Sequence, residues 1–477
     1  MDIAKLLTPR KITITISAVL SLMIMFLAFV KSGDKEYLPY VMFGIILFGV
    51  DLLLCESVTE KHSAVMAAAF IFLNTTGIAM TLLNGSFVAG TLVIIAVSVM
   101  GAFLFLKLMK GLTEWIYQSK RNTVIVLTVI FVCTVVLYLI LFFFPKINNA
   151  RAWIVLNAGG YTFTFQVTEI TKMLFLIAMS VIFASPYIRK QLTWSLIFLG
   201  VNILFLCVHN ELGTAFVMAI SWLIIQFIFA KTKHGLAIIF MAVIAVMLAV
   251  MLVNALYDKF GDSDTQNIII TIVNKIHSRL SLEDTYQMDI ALESIINGGV
   301  LGASPDYILD IPVAESDYAF ANLCQRLGTL FGIIVIASFI LIIFNLYRFS
   351  DKFELPDYNI RLSLIFTVTM TVQMIIIIFT NTGILATIGI CAPFISEGGS
   401  QCVVTYAMAF YIVNSISAQP EKLKRNKRIK RKEIFADETE LQDENKAHRH
   451  YPDISAFVRS LFRSSKGRYA RSKQKGC

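Results

Sequence analysis

The sequence has little charge for its length. Only 15% of its 477 residues are Asp, Glu, Lys or Arg, whereas 57% are hydrophobic. This scarcity of charge excludes an ordinary soluble domain, in which about 25% of the residues are charged. Apolar runs of about 18 or more residues recur from Ile12 to Ser417, and each is long enough to cross a hydrocarbon layer of roughly 30 Å. The composition therefore indicates a protein that crosses a membrane many times.

Cysteines are few, and their spacing does not suit a metal. None of the seven forms a CxxC pair, which argues against a zinc site or a disulfide framework, although a bridge between Cys391 and Cys402 stays open. The first apolar run, Ile12 to Val30, has no small-residue cleavage site, so we interpret it as a membrane anchor. The sequence also has no visible internal repeat, which argues against a solute carrier built from inverted repeats.

The apolar pattern predicts an all-α, polytopic membrane bundle of about twelve transmembrane helices. The predicted spans are 12–30, 38–55, 63–83, 87–108, 123–144, 168–186, 191–208, 213–231, 235–256, 329–347, 361–387 and 402–418. Most lysines and arginines of the short loops fall on one side of these spans. By the positive-inside rule, both termini then lie in the cytoplasm.

The chain is predicted to have three regions: N-terminal transmembrane segments over 1–122, a transmembrane core over 123–418, and a largely disordered cytoplasmic tail over 419–477. The tail holds 17 Lys and Arg against 8 Asp and Glu, which accounts for the whole net charge of +9. Because this basic block follows a membrane span directly, we expect it to contact anionic lipid headgroups and not nucleic acid.

Two outer segments are candidates for function. Residues 257–328 form an extracytoplasmic loop of about seventy residues, a length that is uncommon without a function, and Tyr286 to Gly302 is expected to include a short helix. The other segment is 145–167. Ionisable residues at membrane depth mark sites by default, and five lie near the outer ends of spans, which predicts a water-filled outer cavity: Glu169, Lys172, Glu211, Asp317 and Glu397.

Five sequence blocks on the predicted outer side resemble, in order, the motifs of the SEDS family of FtsW/RodA/SpoVE-type proteins. They are NARAWIVLNAGGYTFTFQVTEITK at 149–172, HNELGTA at 209–215, YQMDIALESIINGGVLG at 286–302, ESDYAFANLCQRLG at 315–328 and IGICAPFISEGGS at 388–400. The resemblance implies a peptidoglycan glycosyltransferase that polymerises lipid II at the outer face of the bacterial cytoplasmic membrane. It also implies a class B penicillin-binding protein as partner, and a core of about ten spans, so two spans at the N-terminus would be extra.

The resemblance makes Asp317 the candidate catalytic base, because the family has its essential acid at this position. A carboxylate at the membrane boundary could accept the proton of an attacking sugar hydroxyl, which contributes about 10²–10⁴-fold to the rate. The alternative is an ordinary helix N-cap, since Ser316 and Asp317 precede an apolar run.

The predicted substrate-binding residues are those of the matching blocks: Arg151, Trp153, Glu169, Lys172, Glu211, Gln287, Gly298, Gly299, Ser396, Glu397, Gly398 and Gly399. Arg151, Lys172 and the two glycine pairs are candidates to hold a pyrophosphate. Lys172 could instead simply pair with Glu169, the glycines could serve only the backbone conformation, and Trp153 could be an interface anchor. No cofactor is identified, although Mg²⁺ or Mn²⁺ could help to bind the pyrophosphate.

Several positions depart from the family pattern, and several of the changes alter the charge at the position. Ala152 stands where the family has Arg beside Trp, Glu315 replaces a His, and Glu397 replaces a Tyr; the other departures are Val167, Asn210, Glu211, Gln325 and Arg326. The chain is therefore a divergent member by this resemblance. Two other functions stay open: a flippase or transporter for the same lipid, and a non-catalytic scaffold for a transpeptidase.

Overall fold

A computed structural model describes most of the chain before the basic tail. The described residues are 8–33, 37–59, 61–85, 88–116, 118–147, 150–158, 161–229, 286–351 and 358–418. They form a helical bundle with one two-stranded antiparallel sheet. The tail, the loop residues before Tyr286 and the ninth predicted span, 235–256, lie outside the described residues.

Eleven of the described helices are long and apolar enough to cross a membrane. Each coincides with one of the predicted spans, so the prediction of a polytopic α-helical bundle is confirmed. In chain order these helices are α1 (Pro9–Ser32), α2 (Leu38–Glu56), α3 (Lys61–Leu83), α4 (Val88–Ile116), α5 (Lys120–Ile140), α6 (Val167–Ala184), α7 (Gln191–Val208), α8 (Leu212–Phe229), α11 (Thr329–Asp351), α12 (Tyr358–Asn381) and α13 (Gly399–Ala418).

Short local signals set several helix ends. Helix α1 begins after Thr8, whose hydroxyl accepts a hydrogen bond from the Lys11 amide, and it ends before Gly33, whose φ of 72° suits a residue without a side chain. Two predicted boundaries were wrong. Helix α4 continues to Ile116 rather than 108, and α12 ends at Asn381 rather than 387, where the Asn381 side chain bonds the Asp317 carbonyl and the Ala321 amide.

The bundle has a buried centre and a lipid-facing shell. In α3, α6, α12 and α13, more than three quarters of the apolar stretch that could cross the membrane is buried inside the protein. In α1, α4, α5, α7 and α11 the buried share is about one third, and large apolar side chains such as Phe26 and Leu104 point outward. An apolar shell of this kind is costly in water and favourable in lipid.

The described part of the outer loop contains two short α-helices, with a 3-10 turn at Pro305–Tyr307 between them. Helix α9 (Tyr286–Gly298) confirms the predicted short helix, and it packs against α10 (Ala319–Leu327). The second outer segment forms a hairpin of β1 (Trp153–Ala158) and β2 (Tyr161–Gln166), in which Trp153 pairs with Gln166. Both substructures lie at the same end of the bundle, since β2 leads directly into α6 and α10 directly precedes α11.

Helix α2 carries a buried carboxylate within the bundle that the sequence interpretation did not single out. Asp51 is 2% exposed, and its Oδ2 accepts hydrogen bonds from the hydroxyls of Ser17 (2.9 Å) and Ser21 (3.1 Å) of α1. The Asn74 side chain of α3 also bonds Asp51, and the Tyr406 hydroxyl of α13 donates to Asn74. This polar cluster joins the first two helices to the centre of the bundle.

Candidate functional site

A polar cavity of about 440 Å³ lies at the end of the bundle that carries the hairpin and α10. Its wall comes from the hairpin, the first turns of α6 and α8, the middle of α12, the residues before α10, and the segment 388–400. Eight of the predicted site residues line it: Trp153, Glu169, Lys172, Glu211, Asp317, Glu397, Gly398 and Gly399. Residues from four of the five sequence blocks therefore converge on one cavity, and the block at 286–302 contributes none.

Asp317 lies on the cavity wall in a loop that is held on both sides. The backbone carbonyl of Asp317 accepts a hydrogen bond from Asn381 Nδ2 (2.9 Å), and the Asn381 side-chain oxygen accepts one from the Ala321 amide (2.8 Å). The carbonyl of Ser316 accepts from Ser396 Oγ (2.7 Å). The N-cap position of α10 is Tyr318, one residue later than Asp317. These contacts fix the backbone from which the carboxylate projects.

Glu169 and Lys172 form a buried ion pair on the cavity wall. Lys172 Nζ lies 2.8 Å from Glu169 and donates to Gln373 Oε1 at 3.1 Å. In the orientation that satisfies its neighbours, the Gln401 amide donates to Glu169 Oε2 (2.7 Å) and accepts from Gln373 Nε2 (2.9 Å). The pairing that the three-residue spacing suggested is confirmed. Two glutamines of other helices, Gln373 and Gln401, add hydrogen bonds to both partners of the ion pair.

Glu211 is held by the end of the hairpin. Its Oε1 accepts a hydrogen bond from Gln166 Nε2 (3.1 Å), and the Gln166 amide donates to Ser400 Oγ (2.8 Å) at the start of α13. The Arg151 amide donates to the His209 carbonyl (2.9 Å), which ties the strand entry to the turn before Glu211. The hairpin is therefore a wall of the cavity and not a free excursion.

Glu397 begins a chain of hydrogen bonds that leads out of the cavity. Its Oε1 accepts from Asn84 Nδ2 (2.7 Å), and Asn322 Nδ2 donates to Asn84 Oδ1 (2.8 Å). Arg326 Nε then donates to Asn322 Oδ1 (3.0 Å). Two of the departures from the family pattern, Glu397 and Arg326, are therefore the two ends of one network. The fourth residue of this network, Asn84, follows α3.

Five predicted site residues lie outside the cavity lining. The Arg151 guanidinium lies over the Phe142 ring, 5.7 Å from its centroid, and Gln287 belongs to α9. Gly298 and Gly299 are at the contact of α9 with α10 and α11, where the Gly299 carbonyl accepts from the Thr329 amide and hydroxyl. Ser396 acts through the Asp317 loop, as described above. For these two glycines, the conformational reading of the sequence agrees with the structure.

The sequence interpretation missed four polar residues that touch or support the cavity: Gln166, Gln373, Ser400 and Gln401. Among the polar residues at membrane depth, the sequence interpretation considered only the ionisable ones. An amide in an apolar span, such as Gln373 in α12, is also unusual and was a signal available in the sequence.

The cavity wall is acidic, and helix N-termini offset part of this charge. Lys172 is the one Lys or Arg among the lining residues that the structure describes, and Glu169 neutralises it, which leaves Glu211, Asp317 and Glu397. Helices α6, α8 and α13 begin at the wall, and helix N-termini carry partial positive charge that suits anions.

The Cys391 thiol adds no negative charge to this wall. Burial raises its pKa, and the nearby Asp317 and Glu169 carboxylates raise it further, so the thiol stays protonated at neutral pH. Cys391 and Cys402 are both free, so the bridge that the sequence left open is absent from the described structure. Within the described ranges, no group of three or more His, Cys, Asp or Glu residues could hold a metal ion.

Comparison with known proteins gives a consistent result. The family model FtsW/RodA/SpoVE, described as "Cell cycle protein", matches residues 63–422. Proteins named "Probable peptidoglycan glycosyltransferase FtsW" are 24% identical over 307 residues in Marinomonas mediterranea (62% of this chain, 72% of that protein) and 24% over 327 residues in Thiomicrospira cyclica (65% and 78%).

A solved structure shares the fold. It is a chain of the structure titled "Structural coordination of polymerization and crosslinking by a peptidoglycan synthase complex". The TM-score is 0.53 at 18% identity, and the similarity covers 78% of this chain and 98% of that chain. The matched family region starts after α2, which agrees with two additional spans at the N-terminus.

Proposed function

The chain belongs to the FtsW/RodA/SpoVE family, and from this premise we propose that it is a peptidoglycan glycosyltransferase that polymerises lipid II. The observation that carries the proposal is the position of Asp317 on the wall of a polar cavity of about 440 Å³. A carboxylate that faces acyl chains or is sealed off from any opening would be incompatible with this function. The relatives named as probable glycosyltransferases support the same reaction class.

In the proposed reaction, a sugar hydroxyl of one lipid-linked molecule attacks the anomeric carbon of another. A new glycosidic C–O bond forms, the bond from the anomeric carbon to the pyrophosphate oxygen breaks, and the pyrophosphate leaves on its lipid carrier. The Asp317 carboxylate accepts the proton of the attacking hydroxyl. General-base catalysis of this kind contributes about 10²–10⁴-fold, and the fixed backbone around Asp317 supports the positioning that it needs.

The leaving pyrophosphate is proposed to lie near Lys172 and the start of α13. Lys172 carries three N–H donors, of which the Glu169 and Gln373 contacts occupy two. The backbone at Gly398 and Gly399 adds the N-terminal end of a helix, where anions are favoured. Arg151 is no longer a candidate for this role, because its guanidinium lies over Phe142.

The setting of this reaction is also a proposal. The basic short loops support an orientation with both termini in the cytoplasm of a bacterial cell, in which the cavity opens on the outer face of the membrane. Lipid II is the proposed substrate, and a class B penicillin-binding protein is the proposed partner, since the solved structure with the same fold is titled as a peptidoglycan synthase complex. The proposed reaction would serve cell-wall synthesis in division, elongation or sporulation.

The test is polymerisation of labelled lipid II by the purified full-length protein, with and without a candidate transpeptidase. Asp317→Asn should lower the rate by at least about 10²-fold, because the amide accepts no proton. The matched control is Glu315→Gln, which removes an exposed carboxylate two residues away in the same loop, outside the cavity lining. We expect this control to keep most of the activity.

Equal activity of Asp317→Asn and the original protein would contradict the catalytic role. If the original protein and the Asp317→Asn variant both transport lipid II across vesicle membranes, and neither forms glycan strands, the flippase function is favoured. A scaffold would leave the cell-wall phenotype unchanged in Asp317→Asn cells.

A further inference from the structure

A second cavity lies at the end of the bundle opposite to the site. It has a volume of about 760 Å³ and lies between α5 and α7, beneath the 185–190 turn. Helix α6 connects the two ends: its first turn carries Glu169 of the site, and its last residue, Ala184, leads into this turn. Eighteen residues at 1.5 Å each separate the ends by about 27 Å. We refer to this second cavity as the basic groove.

The mouth of the basic groove is positively charged. Lys120 at the start of α5 and the consecutive pair Arg189 and Lys190 before α7 line it, and no Asp or Glu does. All three side chains are exposed. Among the residues that the structure describes, none of the three forms an ion pair. A mouth with cations and no internal counterions favours an anionic ligand.

Helix α7 adds to this preference. Its N-cap residue, Lys190, provides no side-chain hydrogen bond to the first turn. The first amide N–H groups of a helix have no partner within the helix, and phosphate is a common ligand at such an end. The cationic side chains and the N-terminus of α7 therefore act in the same place.

The rest of the basic groove is apolar. Along α5, Val124, Leu127 and Phe131 continue the face that begins with Lys120, and Phe131 meets Phe198 of α7 edge to face at 5.6 Å. Trp194, which is 48% exposed, lies at the mouth, as aromatic residues do at membrane interfaces. A small phosphate ion would leave this apolar surface unused, whereas an acyl chain would cover it.

We propose that the basic groove binds an anionic phospholipid of the bilayer. The phosphate headgroup lies among Lys120, Arg189 and Lys190, and one acyl chain follows α5 towards Phe131. This inference does not depend on the proposed reaction, since the groove and the site share no lining residue. Lipid binding in the basic groove would make the protein sensitive to the lipid composition of one leaflet.

The test is native mass spectrometry of the purified full-length protein, with phosphatidylglycerol and phosphatidylcholine of identical acyl chains added in turn. We expect bound phosphatidylglycerol to be retained preferentially. The triple variant Lys120→Gln, Arg189→Gln, Lys190→Gln should weaken this retention by about tenfold or more, because each cation contributes to attraction of an anionic headgroup.

The matched control is Lys110→Gln, Arg121→Gln, Arg348→Gln, which removes three exposed cations outside the groove lining. It should bind phosphatidylglycerol as the original protein does. A second variant, Val124→Trp, keeps every charge and fills the apolar part of the groove, so it should also reduce retention. Thermal unfolding of each variant establishes that it is folded.

Three results would overturn the proposal. The first is equal retention of the two lipids by the original protein. The second is an equal loss in the groove variant and the control variant, which would indicate a general surface charge effect. The third is complete displacement of the lipid by millimolar inorganic phosphate, which would show that a free anion suffices without an acyl chain.

Discussion

Individual polar side chains build the candidate site by satisfying one another. Lys172 and Glu169 are three residues apart on α6, but Gln373 and Gln401, which complete their hydrogen bonds, come from α12 and α13. A buried ion pair with its remaining donors and acceptors unsatisfied would be costly. The two amides therefore explain how a charged pair is tolerated at 3–4% exposure.

His209 is a buried titratable residue in the turn between α7 and α8. It is 1% exposed, and its Nε2 lies 3.0 Å from the Tyr138 carbonyl. Burial lowers its pKa below the usual 6.5, and the nearby Arg151 lowers it further. As the pH falls below 6.5, the unfolded chain takes up a proton before the folded protein does, so the imidazole destabilises the fold at acidic pH.

We predict that His209→Gln reduces the loss of stability between pH 7.5 and pH 5. An amide donates to the same carbonyl without titrating. The measurement is the thermal unfolding midpoint of both proteins at pH 7.5, 6.5 and 5. The remaining histidines are common to both, so parallel pH curves would show that His209 does not titrate on unfolding.

At the scale of secondary structure, contacts between short outer helices position the loop that carries Asp317. Helices α9 and α10 approach closely because Gly298 has no side chain: an added Cβ would come within 2.7 Å of the Gln325 backbone. The Ala303 amide donates to the Gln325 carbonyl (2.8 Å) just beyond this contact. Since α10 begins two residues after Asp317, the position of α9 determines the position of the loop.

We predict that Gly298→Ala destabilises the protein by about 1–3 kcal/mol, because the clash is with backbone atoms that cannot rotate away. Lipid II polymerisation should fall as well. The matched control is Gly200→Ala in α7, where no atom lies within 4 Å of the added Cβ. Thermal unfolding in detergent measures the stability of the two variants. An equal shift of their unfolding midpoints would exclude the close approach as the cause.

At the scale of the whole molecule, α1 and α2 are an addition to the matched family region, which starts at residue 63. They contact the rest of the protein at two levels, in the outer segment and within the bundle. Lys31 Nζ donates to the carbonyls of Gly302 (2.9 Å) and Ala303 (3.3 Å) in the outer segment. Within the bundle, Asp51 joins them to Asn74 of α3. Helix α1 therefore supports the segment between α9 and α10, and the Asp51 cluster ties α2 to α1 and α3.

We predict that Asp51→Ala destabilises the protein by about 1–3 kcal/mol, because the Ser17, Ser21 and Asn74 side chains lose their shared acceptor in the interior. Asp51→Asn is the control, since it keeps an acceptor oxygen and the volume of the side chain. Thermal unfolding distinguishes them. If Asp51→Ala unfolds at the same temperature as Asp51→Asn, the cluster does not hold the two helices.

Several features were predictable because their causes are local. A membrane span depends on a continuous apolar run, so eleven of the predicted spans coincide with helices of the structure. The pairing of Glu169 with Lys172 depends on helical spacing and was equally visible. The lining positions of Asp317, Glu211 and Glu397 followed from ordered motifs on one predicted side of the membrane.

Other features depend on contacts between distant segments and had no local signal. Arg151 lies outside the cavity because its guanidinium lies over Phe142. The link from Glu397 through Asn84 and Asn322 to Arg326 joins three parts of the chain. No spacing rule relates such residues, since their proximity is a result of helix packing.

The sequence by itself determined the membrane-spanning architecture, the predicted side of the functional loops and the candidate base, because apolar length, charge position and motif order are properties of the chain. Only the tertiary structure decided which polar groups share a cavity and which merely hold the backbone. The physical reason is that a buried polar group needs a partner, and in a helical bundle that partner comes as often from a distant helix as from a neighbouring residue.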